Sequence, residues 1–217
     1  MIQTLPQRLY LLCYTVDKGK FQLENLQGRG QLLRAGALTE LARDGLLDAA
    51  GKKVVRKPGK APEDPFAAAV WDDLPDSTPK GWLKFVHDKA HTAETPVRDQ
   101  LRAAGEVSVS RDRAMGVIPV ERVTVTHPEK VRALQERVRA TVLDGADPAA
   151  VPTEELTMAV FTVELEVTSV WSRAELRTHK QAVTALAARY DEIVPGLRKA
   201  LRDSYLSSRA VGGGWSA

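Results

Sequence analysis

The segment from residue 27 to residue 55 constrains the fold more than any other part of the chain. Its sequence, QGRGQLLRAGALTELARDGLLDAAGKKVV, places Leu38 and Leu41 at helical spacing and ends the periodic run at Gly45. Glycine is the residue type most often found just past the C-terminus of a helix. The following LLDAAGKKVV has apolar residues on both sides of a glycine. This order predicts a helix over 30–44 followed by a two-stranded ribbon.

Helical periodicity continues through most of the remaining sequence. In 129–143, Val131 and Leu134 share one face of a predicted helix. The apolar residues of 5–15 predict a short helix or strand, and the alternating residues of 106–128 predict a β-hairpin. Further helices are predicted at 65–71, 79–87, 94–105, 173–190 and 191–208.

Residues 153–171 carry two conflicting signals. The sequence FTVELEV alternates with the period of a strand. However, the run is longer than an ordinary strand, and PTEE is a typical helix start. We therefore predict a buried helix here.

These segments predict a mainly α protein. We expect a single compact helical domain over 1–210 with β-hairpins at its periphery, and a flexible C-terminal tail at 211–217. A helix followed by a hairpin occurs twice, at 30–56 and at 95–126. This doubling leaves a second interpretation open, in which the chain contains two winged-helix-like modules.

Composition and charge limit the function. Among 217 residues, 31 are basic and 28 acidic, so the net charge is only +3. A protein that binds nucleic acid tightly and without specificity usually has a larger excess. Cys13 is the only cysteine, which excludes a disulfide within the chain. The apolar run from Leu9 to Val16 is too short to span a membrane, so we expect a cytoplasmic protein.

No motif in the sequence assembles a catalytic or metal site. Ser77 and Lys80 have the spacing of an S-x-x-K motif but lack its partner motifs. His87 and His91 are four residues apart, yet no H-E-x-x-H pattern is present. GRGQLL, at 28–33, has two of the three glycines of a dinucleotide fingerprint and no surrounding βαβ unit. We predict that the protein is not an enzyme and carries no cofactor.

A local anion site is predicted at the start of the helix over 30–44. Gly28 and Gly30 flank Arg29, and glycines at a helix start leave backbone N–H groups open to an anion. Arg34 follows at a distance that allows it to reach the same rim. The alternative, that both arginines are solvated surface charges, stays equally open at this point.

The predicted tip of the second hairpin combines apolar and basic residues. Met115, Val117 and Ile118 lie beside Arg111 and Arg113. Such a tip suits contact with a membrane interface. It equally suits packing against a second copy of the chain, in which case the hairpin is an oligomerisation element.

The chain contains the pattern L-R-x-G-x-L-x-E-L-x-x-x-G from Leu33 to Gly45 and the sequence THP from Thr126 to Pro128. These two stretches resemble the Golgi phosphoprotein 3 family and its shorter bacterial relatives. Order and spacing match over about 5–208. The resemblance implies one mainly helical domain with peripheral hairpins. It also implies a non-enzymatic function, because the eukaryotic members are peripheral membrane proteins that bind phosphatidylinositol 4-phosphate and act as adaptors for glycosyltransferase tails.

The resemblance transfers to the binding site only in part. The family's arginine matches Arg34, whereas its tryptophan nine residues earlier falls on Asn25. Two further basic positions of the family fall at His91 and Glu94. Two other arginines, Arg98 and Arg102, lie nearby on one face of the helix predicted over 94–105. The predicted lipid-phosphate site therefore comprises Arg29, Arg34, Arg98 and Arg102.

The leading hypothesis is a peripheral membrane or adaptor protein at the inner face of the membrane. Its expected partners are anionic phospholipid head groups, with phosphatidylinositol 4-phosphate among them, and other proteins. A winged-helix nucleic-acid binder is the first alternative, although Glu40 lies between Arg34 and Arg43 on the helix that would enter the groove. An oligomeric scaffold held together by the hairpin is the second.

Overall fold

Helices form most of the computed structural model, which describes residues 3–22, 28–114 and 118–212, with side chains except at 112–114, 118–120 and 210–212. The mainly α prediction is confirmed. The helices are α1 (Leu5–Leu12), α2 (Arg29–Arg43), α3 (Pro65–Asp72), α4 (Trp82–His87), α5 (Glu94–Ala103), α6 (Pro128–Leu143), α7 (Thr153–Glu164), α8 (Arg173–Thr178), α9 (Lys180–Ile193) and α10 (Leu197–Gly212). Within the described ranges, two 3-10 turns cover Val16–Lys18 and Ala90–Thr92.

Among the residues that the structure describes, antiparallel strands form three small sheets around the helices. The strands are β1 (Tyr14–Thr15), β2 (Lys20–Phe21), β3 (Leu47–Ala50), β4 (Lys53–Arg56), β5 (Lys80–Gly81), β6 (Val107–Ala114) and β7 (Ile118–Val125). The predicted ribbon is the pair β3–β4, and the predicted hairpin is the pair β6–β7. Both predictions are confirmed.

Helix α2 lies at the centre of the fold and is buried around nearly its whole circumference. It contacts α1, α3, α4, α5, α7 and α10. Leu32, Leu33 and Leu38 contribute no exposed surface, as expected for a helix enclosed on all sides. Gly36 allows α1 to approach closely, because a Cβ at this position would lie 2.7 Å from Leu9 Cδ1.

A polar residue in α2 finds its partners inside the core. The Thr39 hydroxyl lies 2.9 Å from the Ala35 carbonyl oxygen and 2.7 Å from the Tyr190 hydroxyl. Buried hydroxyls without such partners cost stability.

The enclosure of α2 also rules out its use as a helix that enters a nucleic-acid groove, because a recognition helix must expose one face.

Helix α7 confirms the predicted buried helix, although it ends earlier than predicted. Its side chains from Leu156 to Thr162 are buried. The helix stops at Glu164, and Glu166 has a φ of 52°, which a helix cannot continue through. The prediction that the helix extends to residue 171 is therefore wrong.

Three other predicted boundaries differ from the structure. The helix predicted at 79–87 begins only at Trp82, because Lys80 and Gly81 pair with β4 as a third strand. The helix predicted over 173–190 is divided at His179 into α8 and α9. Helix α10 starts at Leu197 rather than at residue 191, after Gly196, whose φ is 86°.

The β6–β7 hairpin is a long arm attached to the helical body at its base. Its register runs from Val107 opposite Val125 to Ala114 opposite Ile118. The two valines are buried, whereas Ser108 and other residues further along both strands are exposed. An eight-residue strand spans roughly 27 Å. We call this element the hairpin arm.

No helix within the described ranges combines the length and the apolar character needed to cross a bilayer.

Candidate functional site

Arg29, the first residue of α2, is buried in an ion pair. Its side chain is only 3% exposed. Nε and Nη2 donate to the two carboxylate oxygens of Glu94, at 3.0 and 2.6 Å. The guanidinium packs against two neighbouring aromatic rings, 5.1 Å from the centroid of Tyr10 and 4.9 Å from that of Phe21. Arg29 is therefore not the solvated surface charge that the sequence left open.

Two polar groups in this neighbourhood lack a hydrogen-bond partner among the described residues. They are Nη1 of Arg29 and the hydroxyl of Tyr10, and both are buried. Burial raises the pKa of Tyr10, while the positive charge of Arg29 opposes that shift. The hydroxyl is therefore protonated at neutral pH and can donate. Buried donors left without an acceptor are costly.

The two glycines beside Arg29 provide close packing. A Cβ on Gly28 would lie 2.7 Å from the ring of Tyr205, and one on Gly30 would lie 1.8 Å from the Ala90 carbonyl oxygen. Side chains and backbone thus cover the start of α2. The predicted open cradle for an anion is wrong in this respect, because the space next to the glycines is filled.

Helix α5 presents a line of charged residues that we call the α5 stripe: Glu94, Arg98 and Arg102. They are four residues apart and so lie along one side of the helix. Glu94 binds Arg29, and Arg98 Nη1 lies 3.0 Å from the carboxylate of Glu121 on β7. The Arg98 side chain is 18% exposed, and Arg102 is exposed. The charge is therefore positive at the buried Arg29, negative at Glu94, and positive at Arg98 and the exposed Arg102.

Arg34 belongs to a separate ion-pair network. Its side chain is 5% exposed, with Nε donating to the Phe85 carbonyl oxygen at 2.5 Å and Nη2 to Asp73 at 2.9 Å. Asp73 also accepts from Lys89 at 2.5 Å. Five residues turn a side chain about 140° around a helix axis, so Arg29 and Arg34 leave α2 in different directions. The structure places Arg29 beside the start of the α5 stripe, which also carries Arg98 and Arg102, and places Arg34 elsewhere. Whether any of the four binds lipid phosphate stays a prediction.

The sequence pattern of the whole chain decides its classification. The model of the family Golgi phosphoprotein 3 (GPP34) matches residues 5–204.

The chain belongs to the Golgi phosphoprotein 3 family.

The match spans all the charged residues discussed above and the hairpin arm. No curated protein shows significant similarity to this chain.

In this Golgi phosphoprotein 3 family member, the predicted hairpin tip is only partly described. Met115 and Val117 lie outside the described residues, as does Asn25 at the family's tryptophan position. Ile118 is described by its backbone, which pairs with Ala114. The predicted role of these residues in membrane contact or oligomerisation stays a prediction.

His87 and His91 do not lie on one helix. His87 is in α4, where Nδ1 lies 2.9 Å from the Ser204 hydroxyl of α10. His91 lies in the 3-10 turn Ala90–Thr92. In the part of the chain that the structure describes, no three histidine, cysteine or carboxylate side chains form a group able to hold a metal.

Sequence reasoning missed two features of this family member. The first is the contact of Arg29 with Tyr10 and Glu94. Neither Tyr10 nor Glu94 lies in a sequence pattern that indicates a partner for Arg29. The second is a surface cavity of about 480 Å³ between the α7–α8 connection and α10. Its lining residues are far apart in sequence, so no local pattern marks them. They include Glu166, Trp171, Arg173, Leu176, Tyr205 and Arg209.

Proposed function

We propose that this Golgi phosphoprotein 3 family member is a peripheral membrane protein that binds anionic phospholipid head groups. The contact surface is the exposed end of the α5 stripe together with the hairpin arm. The observation that carries the proposal is the ion pair between Arg98 and Glu121, because it joins the α5 stripe to the arm. Membership of the family, whose eukaryotic members bind phosphatidylinositol 4-phosphate at membranes, supports it.

The charges of this surface predict weak and additive binding. One cation near an anionic membrane contributes about 1 kcal/mol. Arg102 is exposed, and no ion pair involves its side chain within the described ranges. Arg98 is largely neutralised by Glu121, so Arg102 acts with limited help from its neighbour. We therefore expect reversible binding that is lost as salt concentration rises.

Head-group specificity is the finer part of the proposal. Asn25 and Glu94 replace an aromatic and a basic residue of the family pattern, and Arg34 is engaged by Asp73. These differences favour general recognition of anionic head groups over strict selection of phosphatidylinositol 4-phosphate. An adaptor function would add a protein partner to the same membrane-bound state.

Vesicle co-sedimentation tests the proposal. Vesicles of phosphatidylcholine alone, with phosphatidylserine, and with phosphatidylinositol 4-phosphate are compared at low and at physiological salt. The wild-type protein is expected to sediment with both anionic vesicles at low salt. Absence of binding to either anionic vesicle at low salt contradicts the proposal.

A charge-reversal pair locates the contact surface. Arg102→Glu is expected to lower binding to anionic vesicles severalfold, because it removes an exposed cation and adds an anion. Arg189→Glu, on α9, makes the same change in net charge at an arginine that is 39% exposed. If both variants lose binding to anionic vesicles equally, the loss is caused by the change in net charge, and the α5 stripe is excluded as the contact surface.

A further inference from the structure

We infer that Arg29 and the Tyr10 hydroxyl form a buried anion position in which Glu94 is an internal counter-ion, and that a phosphate monoester binds there by displacing the Glu94 carboxylate. This inference rests on the proposed binding of anionic head groups. It adds a step in which the Glu94 carboxylate must leave Arg29 before the anion binds, and we call this step the gate. Neither Arg29 nor Tyr10 belongs to the positions that match the family's basic and aromatic site residues.

The first support is the unfinished hydrogen bonding of Arg29. Glu94 engages Nε and Nη2, and Nη1 is buried without a partner in the described ranges. The Tyr10 hydroxyl is also buried without a hydrogen-bond partner in those ranges, and the Arg29 guanidinium lies 5.1 Å from the centroid of the Tyr10 ring. A carboxylate has two oxygens and already uses both. A phosphate monoester has three terminal oxygens and can accept from these remaining donors as well.

The second support is the difference in how firmly the two partners of the ion pair are held. Arg29 is 3% exposed, and its guanidinium packs against the rings of both Tyr10 and Phe21. The Glu94 side chain is 32% exposed and belongs to the first residue of α5. An incoming anion therefore meets a fixed cation and a movable carboxylate. Glu94 is the partner that leaves.

The third support is a second position for the displaced carboxylate. Arg98 lies four residues after Glu94 on the α5 stripe, a spacing at which a glutamate pairs favourably with a basic residue. Nε of Arg98 is buried and has no hydrogen-bond partner in the part of the chain described. Glu94 can thus exchange Arg29 for Arg98 without becoming an unpaired charge, which lowers the cost of opening.

Three glutamate variants test the gate. Glu94→Gln removes the resident negative charge and keeps the side-chain shape. Glu94→Asp keeps the charge but shortens the side chain, so it serves if the glutamine variant does not fold. Glu192→Gln, at an exposed glutamate on α9, is the control for the change in net charge. Circular dichroism establishes that each variant is folded.

The binding assay uses vesicles matched in surface charge. One set contains phosphatidylinositol 4-phosphate, which carries a phosphate monoester, and the other contains phosphatidylserine, which does not. Glu94→Gln is expected to raise affinity for the first set about fivefold, equivalent to roughly 1 kcal/mol for one cation released toward an anionic surface. Glu94→Asp is expected to give a smaller gain in the same direction. Adding Tyr10→Phe to Glu94→Gln should reduce the gain.

Free inorganic phosphate distinguishes a lipid from a soluble ligand. If millimolar phosphate raises the melting temperature of Glu94→Gln more than that of Glu192→Gln, the position accepts phosphate without a membrane. If only vesicles respond, the ligand is the lipid head group. Both results support the displacement of Glu94.

Other outcomes overturn the inference and are distinguishable from failure of the proposed function. Wild-type binding to anionic vesicles with no gain in either Glu94 variant rejects the gate and leaves membrane binding intact. Equal gains in Glu94→Gln and Glu192→Gln reject it in favour of net charge. Failure of every variant to bind any anionic vesicle or phosphate rejects both.

Discussion

Gly30 of α2 lies against the backbone of Ala90, so closely that a Cβ on the glycine would be 1.8 Å from the alanine carbonyl oxygen. The contact fixes the 3-10 turn Ala90–Thr92 against the start of α2. Because the obstacle is backbone, a rotamer change cannot relieve it. The positions of Lys89 and Glu94, on either side of the turn, follow from this contact.

Gly30→Ala is expected to destabilise the protein by about 3 kcal/mol or more, because overpacking against backbone forces the turn to move. The gain of roughly 1 kcal/mol from better helix propensity is too small to compensate. Urea denaturation measures the difference. Gly59→Ala is the control, since no atom lies within 4 Å of its Cβ position and its φ is not positive. Similar midpoints for the two variants would contradict the close contact.

Glu40 is expected to make the protein less stable as the pH rises. Burial raises the pKa of Glu40 to about 7, although a hydrogen bond from the Leu5 backbone N–H at 2.6 Å opposes the shift. The contribution to stability is therefore present below about pH 4.5 and is lost as the pH rises toward 7. Glu40→Gln should be more stable than wild type at pH 8, by about 2 kcal/mol. Denaturation of both proteins at pH 5 and pH 8 tests this. If the difference in unfolding free energy between Glu40→Gln and wild type is the same at the two pH values, the prediction is refuted.

Glu175 should give the opposite dependence at acidic pH. Hydrogen bonds from Arg139, and then from the side chain and backbone of Ser172, lower its pKa to about 2. Its contribution is present above about pH 4.5 and is lost as the pH falls toward 2. Thermal unfolding of Glu175→Gln should therefore show a lower melting temperature than wild type at pH 6 and little difference at pH 2.5. The control variant Glu192→Gln, at an exposed glutamate, should have the melting temperature of wild type at both pH values.

Removal of Arg34 is expected to destabilise the fold whether or not a ligand is bound. Arg34→Ala leaves the partly buried Asp73 with Lys89 as its one remaining partner among the described residues, and leaves the Phe85 carbonyl oxygen without this donor. Breaking a buried pair in this way costs about 3 kcal/mol or more. Chemical denaturation measures the cost, with Arg189→Ala as a surface control. A loss below about 0.5 kcal/mol would mean that Arg34 is available for another function.

The hairpin arm should be removable without loss of the fold. A turn of Asn-Gly that replaces residues 112–120 keeps the buried base at Val107 and Val125 and the ion pair of Glu121 with Arg98. We expect a nearly unchanged melting temperature and weaker sedimentation with anionic vesicles. Analytical ultracentrifugation of both proteins tests the alternative role of the arm, since a wild-type oligomer that becomes monomeric after truncation would indicate self-association. A large fall in melting temperature would show that the arm contributes to the core.

The parts of the fold that sequence predicted correctly are those with local causes. Helix α2 has regular apolar spacing and ends before Gly45, and the ribbon after it has its turn at Gly51. The division between α8 and α9 at His179 has no glycine or proline to mark it. Strand β5 has two residues and exists because β4 is next to it in space. Neither could be inferred from neighbouring residues.

The candidate site was predictable in its residue types and not in their surroundings. Arg29 and its partner are 65 residues apart in sequence, so burial of the pair depends on tertiary structure. Gly28 and Gly30 suggested an anion cradle because glycine leaves space. In the folded protein Tyr205 and Ala90 fill that space. The sequence pattern cannot distinguish a glycine that admits a ligand from one that admits another part of the chain.

The enclosure of α2 has a consequence for hydrogen exchange. Amide protons in a helix surrounded by other helices reach solvent only when most of the fold opens, so their exchange rates report the global free energy of unfolding. A ligand that binds only the folded state slows the exchange of these amides by the same factor, whichever surface it occupies. The slowest amides of α2 thus measure the affinity of any head group or partner, even one that binds far from this helix.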